Sequence, residues 1–112
     1  METQCVRIPL RRGETERFLS FIRAAQARKA EMLESMQAEG VVFECIFLER
    51  QAEQDSIIFY MQAENLEKAQ RAFAESRLPI DVETRAMIAA CWDVERTSLL
   101  QPCLELAVPD GS

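Results

Sequence analysis

The sequence predicts an α+β fold in which helices cover one side of an antiparallel sheet. Two observations lead to this prediction. Two apolar runs rich in β-branched and aromatic residues, 41–48 and 57–61, flank a short polar segment, which is typical of a β-hairpin. Before them, apolar residues of the stretch 14–39 recur at spacings of three, four and seven, which is typical of an amphipathic helix.

The segment before the hairpin is predicted to hold one strand and one helix. Residues 4–10 alternate as a strand does, and Pro9 belongs near the end of that strand because proline cannot donate to the ladder. The helix is expected to run unbroken through residues 14–39. Gly40 follows it at the position where helices commonly end in a left-handed residue.

The segment after the hairpin is predicted to hold two helices and the last strand. Asn65 is a good N-cap for the first helix, and Asp81 can cap a second, shorter one. Residues 99–108 are expected to form the last strand, and Pro102 favours an edge of the sheet for it.

The resulting order β-α-β-β-α(α)-β is the ferredoxin-like arrangement. Right-handed crossovers then give one antiparallel sheet with the strand order 4-1-3-2 and helices on one face. At 112 residues, the chain is expected to be a single domain spanning residues 1–112.

Composition argues against several classes of function. The net charge of −6 argues against nucleic-acid binding, because affinity for phosphates comes mainly from Lys and Arg. No apolar stretch approaches the ~18 residues of a membrane span. The N-terminal segment lacks the apolar core of a signal peptide, so a cytoplasmic protein without membrane partners is expected.

The chain contains no histidine, and its four cysteines are dispersed. The missing histidine removes Ser-His and Cys-His nucleophile pairs, histidine-ligated haem and the common zinc sites. We therefore predict no metal site and no resident cofactor. The cysteines are expected to be reduced, buried thiols.

Strand parity predicts a first group of candidate residues on the sheet face that the helices leave uncovered. Beside the apolar Ile46, Leu48 and Ile58, this face is expected to carry Arg7, Glu44, Tyr60, Gln62, Gln101, Cys103 and Glu105. A charged side chain on a covered face must be paired, so Arg7 is expected to reach Glu44 or Glu105.

Two interpretations of this group remain open. In a ligand pocket, Arg7 would bind an anion, Tyr60 would hydrogen-bond it and Glu44 would transfer a proton. In a dimer interface, the same charges would form an internal ion pair that fixes the pairing geometry. We favour the interface. A symmetric homodimer would cover the apolar side chains of this face without any further sequence.

A second group of candidates, Asp81, Arg85 and Trp92, is expected to border a cleft between the helices and the sheet. The alternative is that Trp92 only anchors a helix to the sheet, which is the commoner role of a buried tryptophan.

Several segments of the chain carry a family resemblance from Val6 to Leu100. They are Glu39-Gly40-Val41, Phe47-Leu48-Glu49, Asp55, Tyr60-Met61, Leu66-Glu67-Lys68-Ala69, Ser76, Pro79, Asp81 and Cys91-Trp92. These segments resemble a small bacterial family of uncharacterised proteins, a domain of unknown function. Its layout is similar to the dimeric α/β-barrel superfamily, in which two such sheets pack face to face. That superfamily includes haem-degrading and cofactor-independent monooxygenases, isomerases, decarboxylases and ligand-sensing regulatory domains, so the resemblance implies no single reaction.

Two function classes therefore remain. We expect a non-catalytic homodimer that is structural or binds a small organic ligand. The alternative is a cofactor-independent or haem-type monooxygenase or isomerase of the dimeric α/β-barrel kind. A cofactor-independent enzyme would need mainly a dry pocket and a base, so the missing histidine does not exclude it.

Overall fold

The computed structural model describes residues 1–109, which contain one antiparallel sheet. Its strands are β1 (Glu2–Pro9), β2 (Val41–Glu49), β3 (Ser56–Ala63) and β4 (Ser98–Leu99). They lie in the order β2-β3-β1-β4, which is the predicted order 4-1-3-2 read from the opposite edge. The predicted α+β class and four-stranded antiparallel sheet are confirmed.

Four helices pack over one face of this sheet. They are α1 (Thr15–Gln26), α2 (Lys29–Glu39), α3 (Leu66–Glu75) and α4 (Pro79–Cys91), and a 3₁₀ turn, Val94–Arg96, follows the last. Within residues 1–109, no helix is both long enough and apolar enough to cross a membrane.

The prediction of one unbroken helix over residues 14–39 is wrong, because the chain breaks between α1 and α2. The backbone N–H of Arg28 donates to the carbonyl of Ala25, three residues back, at 2.8 Å. This tighter bond ends α1, and Arg28 leaves the helical region with φ −114° and ψ 40°. The predicted end of the second half is confirmed, since Gly40 is left-handed with φ 74°.

The helices after the hairpin begin differently from one another. Asn65 caps α3 as predicted, because its side chain accepts a hydrogen bond from the N–H of Lys68 at 2.8 Å. Asp81 does not cap α4. That helix begins two residues earlier at Pro79, which suits the first helical position because its missing N–H would have no partner there.

The predicted last strand over residues 99–108 is also wrong. Only Ser98 and Leu99 pair with β1, and the N–H of Leu100 makes one further bond to the carbonyl of Cys5 at 2.9 Å. Pro102 has no N–H with which to continue the ladder. Residues 100–109 have no regular secondary structure, and residues 101–109 are exposed.

The strand register assigns each side chain to a face. Val6 and Ile46 lie opposite Phe59, and these side chains face the helices; Arg7 and Phe47 lie opposite Ile58 and face away. The predicted placement of Glu44, Ile46 and Leu48 on the uncovered face is therefore wrong. Both faces of β2 are apolar, so its sequence pattern did not decide which one meets the helices.

Two local features set this register. The loop 50–55 joins the hairpin so that Glu49 lies opposite Ser56. At the far end, a β-bulge between Val41 and Phe43 inserts one residue into β2. Val41 is consequently buried and packs with Ala63 and Ala69, although the odd-numbered Phe43 faces away from the helices.

The main core joins the end of β1 to the end of α4. Leu10 and Trp92 form an isolated β-bridge, and both side chains are buried. The indole of Trp92 meets Phe18 and Phe59 edge to face, with ring centroids 6.1 Å apart in each case. These contacts fix α1 and α4 against the sheet at this end.

We expect Leu10→Ala to destabilise the protein by about 2–5 kcal/mol, because the leucine side chain is 1% exposed and its loss leaves a cavity in the core. Leu33→Ala is the matched control, since Leu33 is 46% exposed and its truncation should cost less than about 1 kcal/mol. Chemical denaturation measures both values. Equal losses for the two variants would contradict this assignment of the core.

Candidate functional site

A cavity of about 590 Å³ lies between the helices and the sheet. The sheet forms its floor and all four helices contribute to its roof, and its volume is typical of small-molecule sites. Most of its walls are apolar. They include Val6, Ile8, Phe21, Ile22, Met32, Met36, Ile46, Phe59, Met61, Phe73, Ile80, Met87, Ile88 and Trp92.

One wall of this cavity carries Asp81, which lies in the first turn of α4 and is only 4% exposed. Its carboxylate accepts a hydrogen bond from the hydroxyl of Ser35 at 2.6 Å and one from the hydroxyl of Ser76 at 2.5 Å. The positive end of the α4 dipole adds to this support. Asp81 thereby links α2, α4 and the turn between α3 and α4.

Two further carboxyl groups, Glu39 and Glu44, line the same cavity. Glu39 is the last residue of α2. Burial, and then the negative charges of Asp81 and Glu44, raise its pKa to about 7. Burial also raises the pKa of Glu44, with a smaller contribution from Asp81. Oε2 of Glu39 is buried and has no hydrogen-bond partner in the part of the chain that the structure describes.

No basic side chain balances these three carboxyl groups. The cavity-lining residues include neither lysine nor arginine. Over the described range 1–109, none of the three carboxyl groups takes part in an ion pair. Arg28, on the neighbouring turn, binds Glu31 and Glu83 instead, with N–O distances of 2.8 Å. The cavity is therefore apolar with one acidic wall, here called the acidic wall (Glu39, Glu44 and Asp81).

The structure divides the first group of predicted site residues. Glu44 lies in the cavity, whereas Arg7, Tyr60 and Gln62 lie on the opposite face of the sheet. The predicted pairing of Arg7 with Glu44 or Glu105 is wrong. Arg7 instead binds the carboxylate of Glu49 in a two-point contact, at 3.1 and 3.3 Å, because Glu49 shares its face.

The other polar members of that group are separated from the cavity as well. The side-chain amide of Gln62 donates to the hydroxyl of Tyr60 at 2.7 Å. Gln101, Cys103 and Glu105 lie in the exposed segment after β4, since the strand predicted to hold them does not form.

Of the second group, Asp81 and Trp92 line the cavity and Arg85 does not. The guanidinium of Arg85 donates to the backbone carbonyls of Phe73 and Ser76, so it holds the end of α3. Trp92 both anchors the core and forms a cavity wall. Its indole Nε1 is buried, with no hydrogen-bond partner among residues 1–109.

Three residues of the site were not predicted from the sequence: Ser35, Glu39 and Ser76. A signal for the first two was present, because Met32, Ser35, Met36 and Glu39 fall on one helical stripe at i, i+3, i+4 and i+7. Polar residues on an otherwise apolar stripe indicate a buried polar site. Ser76 carries no comparable signal, since a serine at a helix end is common.

This arrangement permits two kinds of chemistry. The acidic wall can accept hydrogen bonds from a donor or cation that enters the cavity. Glu39, with a pKa of about 7, can also accept or release a proton near neutral pH. Within the described part of the chain, no group of His, Cys, Asp or Glu side chains is arranged to hold a metal ion.

We expect Glu39→Gln to stabilise the protein at about pH 8 by about 1 kcal/mol, allowing for solvent screening of this half-buried group. The folded-state pKa of Glu39 is raised from 4.5 to about 7 by burial and by Asp81 and Glu44, so folding favours the protonated form. Wild-type stability should therefore fall as the pH rises from 4.5 through 7.

Denaturation at about pH 4 and about pH 8 tests this, because the advantage of Glu39→Gln should vanish at the lower pH. Glu34→Gln is the control, since Glu34 is exposed on the same helix. A difference between Glu39→Gln and wild type that does not change with pH would contradict the assignment.

Comparison with known proteins gives a family and no activity. No curated protein matches the chain. One family model does match, over residues 1–110, which is nearly the whole sequence. The resemblance to a family of uncharacterised proteins is thus confirmed: the chain belongs to DUF6176, a family of unknown function.

Proposed function

We propose that this protein binds a small organic ligand in the cavity between its helices and its sheet. The observation that carries the proposal is a space of about 590 Å³ with apolar walls and three carboxyl groups that lack a basic partner. Protein interiors are normally close-packed, and empty space costs stability. A ligand would fill the space and supply the missing hydrogen bonds.

We also propose that the fold is ferredoxin-like. If α1 and α2 are counted as one interrupted helix, and α3 and α4 as another, the element order is β-α-β-β-α-β. The strand order and the placement of all four helices over one face support this classification. So does the resemblance to the dimeric α/β-barrel layout.

A second candidate function is catalysis by proton transfer in the same cavity. Glu39 favours it, because a carboxyl group with a pKa of about 7 is suited to act as an acid or base at neutral pH. A cofactor-independent monooxygenase or isomerase would need little else besides a dry pocket. Substrate turnover that is lost in Glu39→Gln, while binding of an uncharged ligand persists, would distinguish this function from binding alone.

We further propose that two copies associate through the open face of the sheet, defined by Phe43, Phe47, Ile58 and Tyr60. Phe43 and Phe47 are 48% and 58% exposed, and Phe43 packs edge to face on Tyr60 with ring centroids 5.9 Å apart. Exposed apolar groups of this kind mark interaction sites. The interface was predicted to contain Ile46, Leu48, Ile58 and Tyr60. Ile46 and Leu48 face the helices instead, so Phe43 and Phe47 take their place in the proposed interface.

The charge of the open face supports a second copy as the partner. The chain carries a net charge of −6, which would keep most of its surfaces apart. On the open face, however, Arg7 and Glu49 bind each other, and their opposite charges cancel. A two-fold contact between identical open faces would therefore meet no net repulsion, and it would close the assembly.

The segment after β4 adds further exposed apolar surface. Leu104, Leu106 and Val108 alternate along the chain and are all strongly exposed. This alternation is typical of a strand that packs one face. A second copy would offer these side chains a surface to cover them.

We also infer a cytoplasmic location. All four cysteines are free, and Cys91 is buried while Cys5 and Cys45 are half-buried. Free thiols persist in reducing compartments, whereas oxidising ones favour disulfides.

We expect the uncharged dye 1-aminoanthracene to bind the cavity and to quench the fluorescence of Trp92, the only tryptophan in the chain, by energy transfer. Trp92 lines the cavity, so a dye bound there lies close to it. Titration with the dye, followed in tryptophan emission and in dye emission, measures the affinity.

A matched pair of variants locates the dye. Ala25 is buried and lines the cavity, whereas its neighbour Ala24 is exposed on the same helix. Ala25→Phe should weaken dye binding by about tenfold or more by filling space, and Ala24→Phe should leave it unchanged. Circular dichroism checks that both variants fold. Binding that survives unchanged in a folded Ala25→Phe would sink the cavity proposal.

We expect the unmodified chain to be a dimer at tens of micromolar, and Phe47→Glu to be a monomer, because the new charge would lie on the open face. Leu33→Glu is the control, since Leu33 is comparably exposed on a helix, away from that face. Light scattering with size-exclusion chromatography measures both masses. A monomeric wild type, or a dimer that Phe47→Glu does not weaken, would overturn the dimer proposal.

A further inference from the structure

We propose that the ligand is an elongated organic amine whose protonated nitrogen binds at the acidic wall and whose apolar body extends along α4 toward Trp92. This inference rests on the proposed ligand-binding function and specifies the chemical class of the ligand. Nothing in the family assignment names a ligand.

The side chains that line the cavity include acidic groups but no basic ones. The acidic wall draws one carboxyl group from each of α2, β2 and α4, and the residues that α1, α3, β1 and β3 contribute to the lining are uncharged. Arg28, which precedes α2, pairs with Glu31 and Glu83, and Arg85 of α4 donates to backbone carbonyls, so neither group neutralises the acidic wall. An ammonium group would bring both a positive charge and several N–H donors.

An organic ammonium group fits the acidic wall better than a metal ion does. A bare metal ion requires its ligands to converge at short range, and the described residues contain no such group of three. Asp81 is also already occupied by two serine hydroxyls. An organic ammonium places less strict demands on geometry, because its N–H donors point in different directions toward separate carboxylates.

The indole of Trp92 lies at the other end of the cavity. Trp92 is 5% exposed, and its Nε1–H is buried without an acceptor in the described residues. Asp81 and Trp92 lie at opposite ends of α4, about 16 Å apart at the usual helical rise. A ligand with an acceptor group on its far end would satisfy this donor as well.

Flexible and aromatic side chains line the rest of the cavity. Four methionines, Met32, Met36, Met61 and Met87, lie here together with the rings of Phe21, Phe59 and Phe73. Methionine side chains are flexible and polarisable, so they adapt to an apolar body of variable shape. The lining thus suits an alkyl or aromatic amine better than a compact polar one such as an amino acid.

The test displaces 1-aminoanthracene from the protein with three compounds of equal chain length, n-octylamine, n-octanol and n-octanoate. At about pH 8 the amine is cationic and the acid anionic. We expect octylamine to bind about tenfold or more tightly than octanol, since charge-assisted hydrogen bonds add to the shared apolar contact. Octanoate should bind weakest, because it meets the acidic wall with like charge.

Glutamate-to-glutamine variants test where the nitrogen of octylamine binds. Glu44→Gln and Glu39→Gln should each weaken octylamine binding about tenfold while leaving octanol binding within about twofold. Glu34→Gln, on the exposed side of α2, should change neither affinity. Octylamine affinity should also rise between about pH 6 and about pH 8 as Glu39, whose pKa lies near 7 beside Glu44 and Asp81, loses its proton.

The outcomes separate this inference from the function on which it rests. If the dye binds in the cavity but octylamine displaces it no better than octanol, the amine inference fails and ligand binding stands. An octylamine preference that both glutamine variants leave intact would also overturn it. If neither the dye nor octylamine binds, both proposals fail.

Discussion

The register between β3 and its two neighbours is the constraint on which the site depends. Phe59 lies between Val6 and Ile46, and Met61 lies between Gln4 and Glu44. All six side chains face the helices and line the cavity. A slip of one residue in β2 would turn Glu44 outward and bring Phe43 or Phe47 inward. The acidic wall would then lose one carboxyl group, and the open face would lose its aromatic pair.

Much of the fold follows from local signals, whereas the site depends on non-local ones. The hairpin, the Asn65 cap, the Gly40 terminus and the strand order were all predictable from the sequence, because each rests on periodicity, capping or handedness. Which face of β2 meets the helices was not predictable, because alternate residues on both faces of this strand are apolar. The loop 50–55 and the bulge near Val42 decide it. Cavity residues on separate elements therefore could not be assembled from one strand pattern. Trp92 and Asp81, which were expected beside a cleft, both line the cavity.

The three carboxyl groups of the acidic wall are stabilised to different extents by the rest of the protein. Asp81 is compensated within the protein, by two serine hydroxyls and the start of α4. Glu39 and Glu44 are compensated less. The hydroxyl of Ser35 lowers the pKa of Glu39, but burial and then the neighbouring carboxylates still raise the pKa of both glutamates. Asp81, the carboxylate with the most hydrogen bonds, thus lies beside Glu39 and Glu44, which have fewer stabilising contacts. A cationic ligand would relieve that imbalance.

Methyl-¹³C methionine NMR tests most directly whether a small molecule occupies the space between the helices and the sheet. Of the five methionines, Met32, Met36, Met61 and Met87 line the cavity, while Met1 is 74% exposed and serves as an internal reference. Saturation with 1-aminoanthracene should shift the four cavity signals through the ring current of the dye and leave Met1 unchanged. Four unshifted cavity signals at a dye concentration that saturates the fluorescence change would contradict the claim.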